Sequence, residues 1–193
     1  MTTPITLASV VEGHSEVQAV PLLVRRIAIE VYGVDSLVVA TPHRVGRSQM
    51  VAGDMLRRAV QMQSVRVGSR GGVLVIADAD DDCPVELADR LRVQAGKRST
   101  KLTVAVAVRE FESWFLAAIR SLTSHSAVRP DADYPKDPDV RRDAKGALSK
   151  LMTTTYRETL HQPAFAELAW QDALCRNCGG GSIRRALHPV GFA

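Results

Sequence analysis

Asp78, Asp80, Asp81 and Asp82 put four acids into five positions, directly after the apolar run Val73-Leu74-Val75-Ile76-Ala77. A short run of that kind, rich in β-branched residues, reads as a strand buried on both faces. If strand geometry continues through Asp78, alternation sends Asp78 and Asp80 to one side and Asp81 to the other, as the solvated member. Two carboxylates that close repel each other unless a proton or a cation lies between them. The natural occupant is a hard divalent ion with oxygen ligands, magnesium first, held by Asp78, Asp80 and Asp82. The plainer alternative is a solvated acidic turn in which Asp82 caps a helix that starts at Pro84.

Two further apolar runs end in acids. Ile5 to Val11 leads into Glu12-Gly13-His14-Ser15-Glu16, where Gly13 permits a tight turn. Leu102 to Val108 leads into Arg109-Glu110-Phe111-Glu112. In parallel strands these three ends share one edge of the sheet, the edge where α/β proteins bind ligands. Ions about 3.5–4 Å apart can activate water and stabilise a leaving oxygen in phosphodiester cleavage. Glu12 and Glu16 then hold a second ion, or Glu12 serves as general acid or base; Glu112 completes the shell and Arg109 neutralises the phosphate. The alternative for Glu12 and Glu16 is helix capping, worth about 0.3–1 kcal/mol.

These acids stand in a basic chain. The net charge is +4, so lysine and arginine dominate elsewhere. Arg44, Arg47, Lys97 and Arg98 are the candidates for holding a nucleic-acid backbone. With 46% hydrophobic and 24% charged residues over 193 positions, the composition is that of one ordinary globular domain. Its apolar runs are too short to span a bilayer, and no signal-peptide pattern opens the chain. Three cysteines do not make a secreted disulfide framework, so a cytoplasmic location is expected.

The elements that must position the acids alternate between strand and helix. This pattern predicts an α/β core over 1–123 with a mostly parallel four-stranded sheet flanked by helices. Its strands are Ile5 to Val11, Ser36 to Ala40, Val73 to Ala77 and Leu102 to Val108. The first helix carries Val17, Val20, Leu23, Val24, Ile27 and Val31 at helical spacing, and Pro21 predicts a regular start near Val20. Thr41 to Arg47 reads as a loop on the active edge. The second helix has an apolar stripe of Val51, Met55, Ala59 and Met62, with the methionines filling core. Helices are also predicted over Val85 to Ala95 and Phe111 to Leu122. Residues 124–143, with Pro130, Pro135 and Pro138, read as a long mobile surface loop. A C-terminal helical extension over 144–193 follows, with helices from Ala144 to Met152, from Ala164 to Leu174 and from Ser182.

Other motifs lead nowhere chemical. Cys175 and Cys178 lack a second pair for zinc unless the fold recruits His161 and His188, and they close a helix where a redox motif would open one. Gly179 to Gly181 lack the Lys-Ser/Thr of a nucleotide-binding loop. Gly13 to Val17 is no nucleophile elbow, since the last position is not glycine.

Val11-Glu12-Gly13 with Glu16 behind it, followed two strands later by Asp78-Ala79-Asp80, resembles the Toprim fold shared by topoisomerases, bacterial primases and OLD-family nucleases. A finer likeness is to an uncharacterised bacterial Toprim-like family, domain-of-unknown-function family 4276. It rests on Val11 to Glu16, Asp78 to Pro84 and Glu110 to Ala117, and spans most of the chain. The resemblance implies a magnesium-binding core with Glu12 as acid/base and Asp78 and Asp80 as ligands. By analogy with OLD nucleases it also implies an ATPase partner. Tyr32, Tyr134 and Tyr156 are not placed as in a topoisomerase, and the chain contains no ATPase domain.

Three functions are therefore set side by side. One is an Mg2+-dependent (or Mn2+-dependent) nuclease on DNA or RNA, an effector of a bacterial defence or DNA-processing system that could form homo-oligomers. The second is a non-catalytic interaction module working with an ATPase partner. The third, a phospho-accepting receiver, suffers because the fourth strand ends in Arg109-Glu110 and no strand-end lysine follows.

Overall fold

The computed structural model describes residues 4–34, 36–97, 100–134, 136–140 and 142–168. Cys175, Cys178, the glycine run, Ser182, His188 and Arg98 lie outside the described residues. Strands β1 (Ile5–Val11), β2 (Leu37–Val39), β3 (His43–Arg44), β4 (Gly72–Asp78) and β5 (Lys101–Ala107) form one sheet of order β2-β1-β4-β5. Every pairing is parallel, and β3 continues along the edge of β1 beyond β2. The expected four strands are thus five. The segment read as a loop contributes β3, a short stretch that binds Val10 and Val11 and has too few residues for a periodic signal.

The gap between β2 and β3 is closed by a side chain. Leu7 and Val11 carbonyls accept from Ala40 and Val45 backbone N–H groups, and the Ser9 carbonyl between them accepts from Gln63 Nε2 at 2.9 Å. Gln63 is fully buried and also donates to the Thr41 carbonyl, so a polar side chain does a strand's work in the core.

Alternation along the strands divides the core between two faces. On one face Leu7, Val11, Leu74 and Ile76 pack with α1 (Glu16–Tyr32), α5 (Glu112–Ala117), α6 (Ile119–Leu122), α7 (Ala144–Lys150) and α8 (Glu158–Ala166). On the other, Ala8, Val10, Val73 and Val75 meet α2 (Arg47–Val51), α3 (Met55–Val67) and α4 (Pro84–Gln94). Gly71 lets α3 close onto β1, since a Cβ there would stand 2.4 Å from the Thr6 carbonyl oxygen.

Several helices depart from expectation. α1 is regular from Glu16, because Pro21 withholds only one helical N–H and the apolar stripe around it is fully buried. The buried stripe of α3 is Leu56, Ala59, Val60, Gln63 and Val67; Met55 and Met62 are exposed, so they are not core filling. The helix expected over Phe111 to Leu122 breaks at Ala118 into α5 and α6. α8 begins at Glu158, well before the expected Ala164, and carries Pro163 inside it. Cys83, not Asp82, is the N-cap of α4. Between α6 and α7 the chain makes turns and one bridge, Val128 to Met152, while Ala127, Val128 and Ala132 enter the core.

Candidate functional site

The carboxyl ends of β1 and β4, the turn into α1, and the start of α5 open on one cleft of about 430 Å³. Glu12 follows the last residue of β1, Asp78 is the last of β4, Glu16 is the first of α1 and Glu112 the first of α5. All four line the cleft. The parallel sheet produces this convergence, because parallel strands end at one edge and each chain reversal there starts a helix.

Local bonding fixes the acids. The Glu16 carboxylate turns back over Gly13 and accepts from the Glu12 and Gly13 backbone N–H groups at 3.3 and 3.2 Å. A Cβ on Gly13 would stand 2.6 Å from Glu16 Oε1, so a side chain there would displace the Glu16 carboxylate from its place over the turn. Glu12 Oε2 accepts from the Asp78 backbone N–H at 3.4 Å, which joins the two strand ends. Glu112 is buried and its Oε1 accepts from Tyr156 Oη at 3.0 Å and Gln162 Nε2 at 2.9 Å. Asp78 Oδ1 is buried and has no hydrogen-bond partner among the described residues.

Burial is the main force on these groups. It raises the pKa of Glu12, against the opposing pull of Arg47, and carries Glu16 to about 7. Burial, reinforced by the charges of Glu16, Glu112, Glu12 and Asp80, pushes Asp78 well above the carboxylate range. Glu112 is raised by burial too, with Lys145 and the Gln162 and Tyr156 bonds opposing. Four acids that each favour the proton, in one cleft, are the electrostatic signature of a site awaiting positive charge.

The aspartate run divides. Asp80 does not continue the strand: its φ of 51° places it in the left-handed region and it is exposed, so alternation does not pair it with Asp78. Its charge is still felt by both Glu12 and Asp78. Asp81 pairs with Arg109 at 3.1 Å and Arg142 at 2.8 Å. Asp82 pairs through its Oδ2 with Arg47 at 2.7 Å and Arg90 at 3.0 Å. Arg109 also donates to the Asp80 carbonyl at 2.6 Å and lines a smaller adjoining pocket with Asp80 and Asp81. The structure does not bring Arg109 to the cleft.

Of the expected backbone-binding cations, Arg44 and Arg47 line the cleft. Arg44 Nε donates to the Glu12 carbonyl at 3.1 Å. Lys97 lies between α4 and the start of β5, at the opposite edge of the sheet, and is corrected out of the site. Sequence reasoning missed Lys145, Glu158, Gln162 and Tyr156, which α7, α8 and their connection carry to the cleft or to Glu112. Lys145 Nζ pairs with Glu158 at 2.7 Å. Burial lowers its pKa, but Glu158, Glu112 and Glu110 outweigh that and raise it. Glu110 orients it by accepting the Asp143 and Lys145 backbone N–H groups at 3.1 and 3.3 Å. The only signal in the sequence was the basic cluster Arg141, Arg142 and Lys145.

The donor set is all oxygen, the chemistry a hard divalent ion takes. Among the described residues, no three His, Cys, Asp or Glu side chains are gathered closely enough to bind a metal. The Glu16 and Glu12 carboxylates accept from backbone N–H groups, and Arg47 stands 3.7 Å from Glu12 Oε2. Among the described residues no helix is long and apolar enough to cross a membrane.

No family model and no curated protein matches the chain, so membership of family 4276 has no support from that quarter. Two solved structures are similar to it. The C-terminal region of the Burkholderia pseudomallei OLD protein has 16% identity and a TM-score of 0.47, with 100% of each chain covered. The C-terminal region of the Xanthomonas campestris pv. campestris OLD protein has 15% identity and a TM-score of 0.43, covering 95% of this chain and 93% of that one.

Proposed function

We propose that the chain is a nuclease with a Toprim-like core, hydrolysing phosphodiester bonds of DNA or RNA with Mg2+, for which Mn2+ can substitute. One observation carries the reading: Glu12, Glu16, Asp78 and Glu112 meet in one cleft whose rim holds Arg44, Arg47 and Lys145. An acidic floor under a cationic rim suits a phosphodiester, whose backbone is drawn by lysine and arginine while the reacting oxygens need proton transfer below. Glu12 is the acid/base: it is only partly buried, and its raised pKa brings proton exchange nearer neutral pH. Arg44 and Lys145 orient the phosphate. The cofactor, an ATPase partner, homo-oligomer formation, a cytoplasmic location and a role as effector in bacterial defence or DNA processing are parts of the same proposal: the cofactor rests on the all-oxygen donor set and the motif resemblance, the ATPase partner and effector role on the resemblance, and the location on the sparse cysteines.

A second reading has its own observation. The carboxylates are already engaged by backbone amides and by Arg47, as they would be in a non-catalytic Toprim-like interaction module. Supercoiled plasmid and single-stranded RNA, incubated with Mg2+ or Mn2+, separate the two. Cleavage by the wild type that disappears in Asp78→Asn and on chelation supports the nuclease. A folded wild type that binds nucleic acid or an ATPase partner without cutting supports the module.

A further inference from the structure

One cation reaches in among the strand ends of the acidic cleft. Arg47, first residue of α2, reaches across to the end of β4. Its guanidinium donates to the Asp78 carbonyl, to the Ala79 carbonyl at 3.5 Å and to Asp82 Oδ2 at 2.7 Å, and stands 3.7 Å from Glu12 Oε2. It thus touches the two strand ends that carry Glu12 and Asp78 and the acidic turn beyond them. Only 26% of the side chain is exposed, so its charge is partly withdrawn from water and directed at these oxygens.

We infer that Arg47 is a built-in counter-cation that occupies the place of the divalent ion and must withdraw before the ion enters. This rests on the metal-dependent reading of the cleft and adds its regulation. A dication beside Glu12 would face the guanidinium across the width of one carboxylate, and the two positive charges compete for the same lone pairs. A nucleic-acid phosphate offers the guanidinium a bidentate partner in place of the single carboxylate bond it now makes to Asp82. Substrate therefore draws the arginine out and lets the ion in. Asp82 is the anchor of this latch, not a metal ligand, since Arg47 and Arg90 both take its Oδ2.

The test is calorimetric titration of the full chain with Mn2+, without reference to cleavage. Arg47→Ala should bind Mn2+ about tenfold more tightly than the wild type, the scale of removing one nearby charge. Adding a single-stranded oligonucleotide should tighten binding by the wild type and leave Arg47→Ala unchanged. Arg47→Ala also loses the bonds that tie α2 to β4, so Asp82→Asn is the second arm and removes only the anchor. It should tighten Mn2+ binding as well, by less. Equal or weaker binding in Arg47→Ala overturns the latch while leaving the metal reading in place. Weaker binding in Asp82→Asn makes Asp82 a ligand and overturns it too. No Mn2+ binding in any of the three proteins removes the metal reading itself, and the latch with it.

Discussion

Two groups of acids stand at the carboxyl edge of the sheet, and Asp78 of the first lies only a few residues from Asp81 and Asp82 of the second. Glu12, Glu16, Asp78 and Glu112 are held by strand ends and first helical turns, lose their water, and receive mostly backbone amides and neutral donors. Asp81 and Asp82 remain in solvent and pair with arginines. The first group is raised in pKa by burial and by its own members. Exposed pairs such as those of the second contribute little to stability. Density of acids along the sequence therefore does not identify the ones that line the cleft. What sets those apart is that the fold buries their carboxylates, so that desolvation outweighs the pull of the nearby Arg47 and Lys145.

The largest expected effect separates the groups directly. Glu12→Gln and Asp78→Asn should each reduce cleavage by about a hundredfold to ten-thousandfold, the range of a lost acid/base group. Asp81→Asn should change it by less than about threefold, because Asp81 and its partner Arg142 are exposed and Asp81 lies outside the cleft. Initial rates on plasmid with matched thermal melts check this. Comparable losses in all three would erase the distinction.

The next effect is on stability. Glu16 titrates near 7 in the folded protein against 4.5 for the unfolded group, so the folded state holds the extra proton between these values. Stability of the metal-free protein should therefore fall as pH rises from about 4.5 to 7, by an amount on the order of 3 kcal/mol for this group. Denaturant midpoints across that interval measure the slope. Glu16→Gln should flatten it, since an amide oxygen can still accept from Gly13. A slope of the opposite sign would mean that the cleft already carries compensating positive charge.

Glu110→Ala probes how the helical extension serves the buried group. It removes the acceptor for two N–H groups at the start of α7 and should cost about 1 kcal/mol, the scale of a lost helix cap. Cleavage should fall further than stability predicts, because Lys145 is no longer directed at the cleft. The smallest effect concerns the basic residues. Arg44→Ala should lower the salt dependence of nucleic-acid binding by about one unit of slope, and Lys97→Ala should not change it. A change at Lys97 would extend the nucleic-acid surface to the far edge of the sheet.

Much of the framework was legible in local pattern. The runs at 5–11, 73–77 and 102–108 are almost continuously apolar, broken only by Thr6, Ser9 and Thr103, because both faces of a parallel strand are covered, and they are β1, β4 and β5 nearly to the residue. Glu12, Glu16, Asp78 and Glu112 were legible for the same reason: each immediately follows or ends such a run, or opens the next helix. The stripe of α3 was misread by one position, because Gln63 is polar by type but buried by function. Asp80 was misread because alternation ends with the last paired residue, and a left-handed turn begins just past it.

By itself the sequence determined that parallel strands would deliver acids to one edge, since that follows from hydrophobic runs and their length. Only the tertiary structure decided which acids are buried together in the cleft. Desolvation depends on what packs above the strand ends, and that cover comes from distant segments: Arg47 from the start of α2, Tyr156 and Gln162 from the region of α8, Lys145 from α7. Their distances along the chain carry no periodic signal, so the charge balance of the cleft exists only once the layers have closed.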